Sequence, residues 1–415
     1  MRRVVVTGLG ALTPIGNTIS EYSNGLQNGA NGANPITHFD AEKFKTRFAA
    51  EVKNFDAKAL LDRKDVRRLD PFAQYAMVTV AEAMEDAGFD LEAIDLERAG
   101  VIWASGIGGF STLQHEITEH AKGNGTPRYN PFLIPKLIAD IASGQISIKY
   151  GFMGFNYATV SACASSTHAI GTCFDLIRWG RQDIMITGGS EAAVCETGIG
   201  GFNAMKALST RNDDYLTASR PFDKDRDGFV LGEGAGALVL EEYEHAKKRG
   251  ATIHAEIVGY GATADAYHMT APHPDGLGAR NVMKQAIADA KMNPEDVDYV
   301  NVHGTSTPLG DIAETKAILQ VFGPHAYNLN VSSTKSMTGH LLGAAGAIEA
   351  IAGILAIENN FVPPTINHFT DDPEIDPKLN LTFNEAQERN VKAVLSNTFG
   401  FGGHNSSVIF KALED

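Results

Sequence analysis

The stretch VVVTGLGA at residues 4–11 returns in altered form as EIVGYGA at residues 256–262. Both are apolar runs that pass into glycines, which is typical of a buried strand that leads into a close contact or a turn. An alanine-rich helical segment follows each of them, AMEDA at 83–87 and AIADA at 286–290. The recurrence indicates a chain made of two halves built on one plan.

Two further landmarks recur in the same order along the chain. The strand-like segment GVIWA at 100–104 is matched by YVNV at 299–302, and VS at 160–161 is matched by VS at 331–332. Any chain of alternating strands and helices produces some such similarities, but a constant order favours an internal duplication. We therefore predict an α/β fold with buried strands, divided into residues 1–250 and 251–415.

The composition is typical of a globular protein kept in a reducing compartment. The 415 residues are 43% hydrophobic and 20% charged, and only three are cysteines. The apolar run after Arg3 is too short for a secretory signal, so we expect a cytoplasmic location. A net charge of −15 argues against nucleic acid as a partner.

The most membrane-like segment is 341–357, which is rich in Gly, Ala, Ile and Leu. Glu349 interrupts it, and the small residues lower its hydrophobicity. A helix buried on all sides inside a protein core shows the same pattern. We predict such a helix, and no insertion into a membrane.

Cys163 lies where a strand-like run passes through small residues into an amphipathic helix, in the sequence VSACASSTH at 160–168. A helix N-terminus offers unpaired N–H groups and a positive dipole end, which favour a thiolate. A free cysteine is as often simply a small buried residue, so Cys163 taken alone fits either interpretation. Cys173 falls in the apolar stripe of the helix that follows, and no motif surrounds Cys195.

Two histidines occupy glycine-containing turns that follow apolar strands: His303 in NVHGT at 301–305 and His340 in KSMTGH at 335–340. A cysteine with one histidine would fit a hydrolase or a thiol transferase. Two neutral imidazoles that donate to one oxygen would instead stabilise an enolate, such as a malonyl thioester forms when it loses carbon dioxide. Lys335 lies close enough in sequence to bias the local field toward neutral imidazole.

Other motif-like patterns do not meet the requirements of the sites they imitate. GLG at 8–10 lacks the third glycine of a dinucleotide-binding turn. DKDRDG at 223–228 begins like a calcium loop, but the twelfth position is Gly234 rather than glutamate. The basic cluster RKDVRR at 63–68 is either a solvated helix start or a docking patch for an acidic partner.

The glycine loop SNTFGFGGHN at 396–405 completes a set of motifs that resembles the β-ketoacyl-[acyl-carrier-protein] synthases, nearest to type II of the elongating class. The rest of the set is ACASS at 162–166, HGTST at 303–307, KSMTGH at 335–340, and RPFD at 220–223. The resemblance implies a thiolase-like fold of two duplicated halves in five layers, αβαβα, and a homodimer. It also implies decarboxylative Claisen condensation of malonyl-acyl carrier protein with an enzyme-bound acyl chain, elongating fatty acids by two carbons without a cofactor.

The same resemblance implies catalytic roles for individual residues. Cys163 would hold the acyl chain as a thioester, while His303 and His340 would assist decarboxylation and the attack of the carbanion. Lys335 would support the histidines electrostatically. The N–H groups of Cys163 and Phe401 would form the oxyanion hole, with Phe401 as a gate.

Binding roles follow from the resemblance in the same way. Phe399 would lie beside the gate, Thr305 and Thr307 would hold the phosphopantetheine arm, and Ile107 and Phe202 would line the acyl pocket. The acidic carrier protein, loaded with acyl or malonyl groups, would meet four basic residues: Lys64, Arg67, Arg68 and Lys206. A structural monovalent cation would lie among Asn301, Glu349, Ser396 and Asn397. His404 departs from the threonine of many relatives.

Three alternatives remain open at this level. A polyketide-type ketosynthase would share the chemistry and act on another acyl chain. A non-catalytic binding subunit like the chain-length factors would lack the nucleophile, which Cys163 opposes. A thiolase acting on coenzyme A esters is disfavoured by the two histidines and by the basic docking candidates.

Overall fold

The computed structural model describes residues 1–414, and these contain fourteen strands and fourteen α-helices. The strands are β1 Val4–Leu12, β2 Asn34–Pro35, β3 Phe48–Ala49, β4 Ala99–Ala104, β5 Asn156–Thr159, β6 Ile184–Glu191, β7 Gly234–Glu242, β8 Ala255–Ala264, β9 Tyr299–Asn301, β10 Asn330–Ser332, β11 Phe361–Val362, β12 Gln387–Glu388, β13 Ala393–Gly400 and β14 His404–Lys411. The helices are α1 Ile19–Gln27, α2 Ala57–Leu60, α3 Arg63–Arg68, α4 Pro71–Ala87, α5 Phe110–Lys122, α6 Leu133–Leu137, α7 Ile141–Tyr150, α8 Ser165–Arg178, α9 Glu196–Ala204, α10 Tyr243–Arg249, α11 Leu277–Asp289, α12 Pro308–Phe322, α13 Lys335–Thr338 and α14 Ala345–Asn359.

The main sheet repeats one strand order twice. Its sequence is β10-β9-β13-β14-β8-β1-β7-β6-β4-β5, so each half arranges its five strands as third, second, fourth, fifth, first. In both halves the fifth strand, β7 or β14, is antiparallel to its two neighbours, while the second, third and fourth strands are parallel. The halves meet edge to edge where β1 pairs with β8. The predicted duplication is therefore confirmed at the level of topology.

The helices form three layers that alternate with the two halves of the sheet. Helices α8 and α14 lie between the halves and contact strands of both. Helices α4 and α7 cover the N-terminal strands, and α11 covers β8 and β14 with α12 packed beside it. This is the αβαβα arrangement of the thiolase-like fold.

Helix α14 is the segment with membrane-like composition. The stretch Leu342–Asn359 is long and apolar enough to cross a membrane, but 89% of it is buried inside the protein. Its buried acidic residue, Glu349, contacts the buried ammonium group of Lys335. The helix thus occupies the centre of the core, as its composition predicts.

The glycines that imitate a nucleotide-binding turn serve close packing instead. A Cβ at Gly8 would lie 2.2 Å from the carbonyl oxygen of Ala83 on α4, and a Cβ at Gly259 would lie 2.4 Å from that of Ala286 on α11. The two halves use the same device, because a strand without side chains at these points can lie directly against its covering helix.

Candidate active site

Cys163 occupies a 3₁₀ turn, residues 162–164, between β5 and α8. The residue before it, Ala162, has a φ of +51°, and Leu342 has a φ of +47° in the matching turn before α14. A left-handed conformation is costly for residues other than glycine and is retained where the surroundings enforce it. Gly400 packs onto the turn so closely that a Cβ there would lie 3.1 Å from the nitrogen of Cys163.

The sulfur and the two imidazoles meet in one place. Nε2 of His340 lies 3.0 Å from Sγ of Cys163, and the rings of His303 and His340 are 5.3 Å apart at an angle of 87°. One donor atom from each of the three residues lies within 4.8 Å of the other two. A single reacting carbonyl can therefore touch all three groups.

A cavity of about 500 Å³ opens at this sulfur and carries most of the residues predicted from the sequence. Its lining includes Ile107, Cys163, Phe202, Lys206, His303, Thr305, Thr307, His340, Phe399 and Phe401. The hydroxyl groups of Thr305 and Thr307 are 3.0 Å apart. The other basic candidates, Lys64, Arg67 and Arg68, are exposed on α3 and do not line the cavity.

The ionisation of the thiol differs from the expectation drawn from its position before a helix. Burial raises the pKa of Cys163 to about 12, although the charge of Lys335 and a hydrogen bond from the Phe401 N–H act in the opposite direction. The protonated thiol is therefore favoured at rest, although a helix N-terminus acts in the opposite direction. Loss of water around the sulfur outweighs the dipole of the helix. Nε2 of His340 lies 3.0 Å from Sγ, within reach of the thiol proton.

Both imidazoles are neutral. Burial lowers the pKa of His303 and of His340 well below the ordinary value, and the charge of Lys335 lowers both further. Lys335 is itself buried and contacts Glu349, whose pKa burial raises to about 7. The lysine therefore acts on the histidines through the field rather than through contact with the substrate cavity.

Glu314 is a site residue that the sequence motifs do not identify. It is buried on α12, and its carboxylate accepts hydrogen bonds from the backbone N–H groups of His303, at 2.9 Å, and Gly304, at 2.8 Å. Burial raises its pKa to about 7. The signal in the sequence is weak, because α12 also carries Asp311 and Lys316, and an acid on a helix does not reveal what it holds.

A buried ion pair anchors the loop that carries the two threonines. Nε of Arg226 lies 3.3 Å from the carboxylate of Asp311, and the guanidinium also donates to the carbonyl oxygens of Thr307 and Pro308. The calcium-like motif at 223–228 is thus part of the support for this loop. Sequence reasoning excluded calcium there but did not find the ion pair.

The residues assigned to a cation partly fit that role. Asn301 and Ser396 face each other in the parallel pairing of β9 with β13, and their side-chain oxygens are buried without a hydrogen bond to any residue that the structure describes. Oxygen atoms of this kind suit a hard cation. The side chain of Asn397 is already bonded to Glu314 and Ser407.

The duplicated α/β fold and the buried Cys-His-His cavity together define an acyltransferase with a thiol nucleophile. Family profiles described as the N-terminal and C-terminal domains of β-ketoacyl synthase match residues 1–246 and 254–369. The chain belongs to the β-ketoacyl synthase family, a family of acyl-transferring condensing enzymes.

Close relatives cover the whole chain. Proteins named 3-oxoacyl-[acyl-carrier-protein] synthase 2 are 51% identical in Synechocystis sp., over 99% of this chain and 98% of the relative, and 50% identical in Staphylococcus aureus, over 100% and 99%. A β-ketoacyl synthase structure from Burkholderia phymatum superposes with a TM-score of 0.92 at 38% identity, covering 100% of both chains. A type II polyketide ketosynthase solved with its acyl carrier protein has a TM-score of 0.91 at 36% identity, also covering 100% of both chains.

Proposed function

We propose that this protein condenses malonyl-acyl carrier protein with an acyl chain held on Cys163, elongating fatty acids by two carbons. The observation that carries the proposal is the convergence of Sγ of Cys163 with two neutral imidazoles in one cavity. Full-length relatives near 50% identity carry the corresponding name. A polyketide ketosynthase shares the fold at a lower identity of 36%, so the fatty-acid reaction is favoured.

In the first half-reaction, Sγ of Cys163 attacks the carbonyl carbon of the acyl thioester, and the bond to the carrier's sulfur breaks. Because the thiol is protonated at rest, its proton passes to Nε2 of His340, 3.0 Å away, and then to the departing sulfur. The N–H groups of Cys163 and Phe401 would hold the developing oxyanion. The carrier protein leaves as a free thiol.

In the second half-reaction, the malonyl group loses carbon dioxide, and the electron pair of the broken carbon–carbon bond forms an enolate. The neutral imidazoles of His303 and His340 would donate N–H groups to its oxygen. The carbanion then attacks the thioester carbonyl, and Sγ of Cys163 leaves and recovers a proton from solvent. His340 has passed its proton to the departing sulfur by this stage, and the low pKa of both histidines keeps them neutral donors when the malonyl group reacts.

Two basic surfaces would receive the acidic carrier protein. Lys206 is exposed at the cavity, where the phosphopantetheine arm must enter, and α3 presents Lys64, Arg67 and Arg68 to solvent. Charge reversal at Arg67 and Arg68 should weaken acyl transfer from carrier protein and spare transfer from small thioesters. An equal loss with both substrates would contradict the docking role of α3.

A second copy of the chain would cover the free edge of the main sheet. Strand β5 ends the strand order, and the segment around it exposes large apolar side chains, among them Ile148 at 74% and Val160 at 61%. Such an edge is stable when it is paired. We expect Val160→Asp to dissociate a homodimer in sedimentation experiments, whereas Leu60→Asp, on the exposed α2, should leave the mass unchanged.

We place the boundary between the halves in the linker between α10 and β8, giving residues 1–250 with the nucleophile and 251–415 with both catalytic histidines. Asn301, Glu349 and Ser396 would hold a structural monovalent cation through side-chain oxygens, with Asn397 beside them.

A cytoplasmic location follows from the reduced state expected for three unpaired cysteines.

Intact-mass analysis tests the proposed function directly. The protein is incubated with acyl carrier protein loaded with saturated acyl chains, and the adduct is located by peptide mapping. We expect one acyl group on Cys163 and its conversion to β-ketoacyl product after malonyl-acyl carrier protein is added. An adduct at another residue, or a Cys163→Ala variant with near wild-type condensation, would refute the assignment.

A further inference from the structure

Glu191, the last residue of β6, is a buried carboxylate that the condensation mechanism does not use. It accepts four hydrogen bonds, from the hydroxyl of Ser105 at 3.0 Å and from the N–H groups of Gly106 at 2.7 Å, Ile107 at 3.1 Å and Gly343 at 3.0 Å. Burial raises its pKa, and these dipoles, rather than a basic side chain, oppose that effect. Four hydrogen bonds from two separate turns to one buried carboxylate indicate that Glu191 positions those turns.

The duplication shows what Glu191 replaces. Gly343 follows Leu342 as Cys163 follows Ala162, and both turns lead into a central helix. The fourth strand of one half ends at Gly400, which packs against the nitrogen of Cys163 without capping it; the fourth strand of the other half ends at Glu191. The N–H group of Gly343 corresponds to that of Cys163, the proposed oxyanion donor. It donates instead to the carboxylate of Glu191.

The two turns that Glu191 joins form part of the cavity wall. Gly106 and Ile107 line the cavity from the N-terminal half, and Leu342, next to Gly343, lines it from the C-terminal half. The turns are in direct contact, since a Cβ at Gly343 would lie 2.1 Å from the nitrogen of Gly106. A displacement of this carboxylate would shift the apolar wall directly, because its four donors belong to these two turns and none of them is Cys163 or a histidine.

We propose that Glu191 is a positioning residue for acyl-chain selection, which holds Ile107 at the cavity wall and thereby sets how sharply acyl length is discriminated. The inference rests on the proposed function, because it concerns the acyl chain that Cys163 receives. A rigid wall separates chains of neighbouring length, since one methylene in a well-shaped apolar pocket changes kcat/KM by about tenfold or more. If the turn that carries Ile107 is loosened, the difference in kcat/KM between chains of neighbouring length becomes smaller.

The substitution Glu191→Gln tests this with little change of shape. Its amide nitrogen cannot accept a hydrogen bond, but the hydroxyl of Ser105 can reverse and accept from it. The amide oxygen then keeps the N–H groups of Gly106 and Gly343, and the N–H group of Ile107 loses its acceptor. Glu314→Gln is the matched control, because the same change at another buried carboxylate releases the turn of His303 instead.

The measurement is kcat/KM for acyl transfer to Cys163 from carrier proteins loaded with saturated chains of graded length. We expect Glu191→Gln to flatten the largest step between neighbouring chain lengths by about tenfold. The charge of Glu191 also raises the pKa of Cys163, but its loss acts equally at every length and leaves the ratios between lengths unaffected. Glu314→Gln should lower kcat/KM by a common factor at every length. A common factor for Glu191→Gln, or an unchanged profile, would overturn the inference.

Two further outcomes remain distinguishable. If wild-type protein accepts no acyl group from carrier protein at any length, the proposed function fails, and this inference fails with it. If Glu191→Gln does not fold, as judged by its thermal transition, Ser105→Ala removes one of the four hydrogen bonds in its place. That variant should flatten the length profile in the same direction to a smaller extent, and a wild-type profile would overturn the inference.

Discussion

At the scale of single residues, the candidate active site is distinguished by groups that are neutral at rest. Desolvation holds the thiol of Cys163 protonated and both imidazoles uncharged, so the cavity contains no resting ion pair between sulfur and histidine. The buried ammonium group of Lys335, paired with Glu349, acts on all three groups through its charge. Neutral imidazoles can donate hydrogen bonds to an enolate, as the proposed decarboxylation requires.

Lys335→Met should move the acid limit of malonyl decarboxylation to higher pH. Lys335 lowers the pKa of both histidines, so its removal raises those pKa values, and the imidazoles become protonated at a higher pH. A nearby charge of this kind shifts a pKa by about one unit or more, and we expect the acid limb to move by at least that amount. The pH profile of carbon dioxide release measures the shift.

The same variant leaves Glu349 buried without its partner, which destabilises the fold by about 3–5 kcal/mol if the carboxylate stays charged. The double variant Lys335→Met, Glu349→Gln should recover the stability and keep the shifted pH profile. A profile that returns to that of the wild type in the double variant would show that Lys335 acts only on folding.

At the scale of elements, glycines allow the strands to pack directly against their covering helices, in addition to the packing of apolar side chains. Gly8 and Gly259 occupy matching positions on β1 and β8, and each lies against the carbonyl oxygen of a helical alanine. The turn before each central helix repeats a left-handed residue, Ala162 or Leu342. Duplication has thus preserved contact geometry where the side chains themselves have diverged.

Gly8→Ala should destabilise the protein by about 1–3 kcal/mol, because the new Cβ would lie 2.2 Å from the carbonyl oxygen of Ala83 and force β1 and α4 apart. Gly201→Ala is the matched control: this glycine lies within α9, and a Cβ there meets no atom within 4 Å. That change should stabilise by about 0.5–1 kcal/mol through helix propensity. Denaturant unfolding of both variants gives the comparison, and equal effects would contradict it.

At the scale of the whole molecule, His254 fastens the linker between the halves to both of them. Its Nε2 lies 2.8 Å from the carboxylate of Asp86 on α4, and its Nδ1 lies 2.6 Å from that of Glu358 on α14. Although burial alone lowers its pKa, the two carboxylates raise the pKa of His254 to about 9. The folded protein therefore binds this proton more tightly than the unfolded chain does.

The contribution of His254 to stability should depend on pH with a defined sign. Its pKa rises on folding from 6.5 to about 9, so the stabilisation is complete below pH 6.5 and is lost as pH rises through 9. The free-energy difference of unfolding between wild type and His254→Gln should be largest near pH 6, at most about 3 kcal/mol, and should decline by pH 9. A difference that grows between these pH values would contradict the ion pairs.

The sequence by itself determined the duplicated α/β architecture, the buried central helix, and the identity of the nucleophile and the two histidines as candidates. These features are visible because strand and helix periodicity, glycine placement and short turn motifs are local properties of the chain. The order of landmarks such as residues 4–11 and 256–262 was sufficient to predict that β1 and β8 correspond.

Only the tertiary structure decided the protonation of the site and the residues that hold its turns. The thiol of Cys163 is protonated because three distant segments exclude water from it, and burial has no signature in a local motif. Glu314 and Glu191 act on turns that other elements contribute, so their partners are known only after the chain is folded. Hydrogen bonds and desolvation depend on contacts between residues far apart in sequence, and the amino-acid order does not specify those contacts one by one.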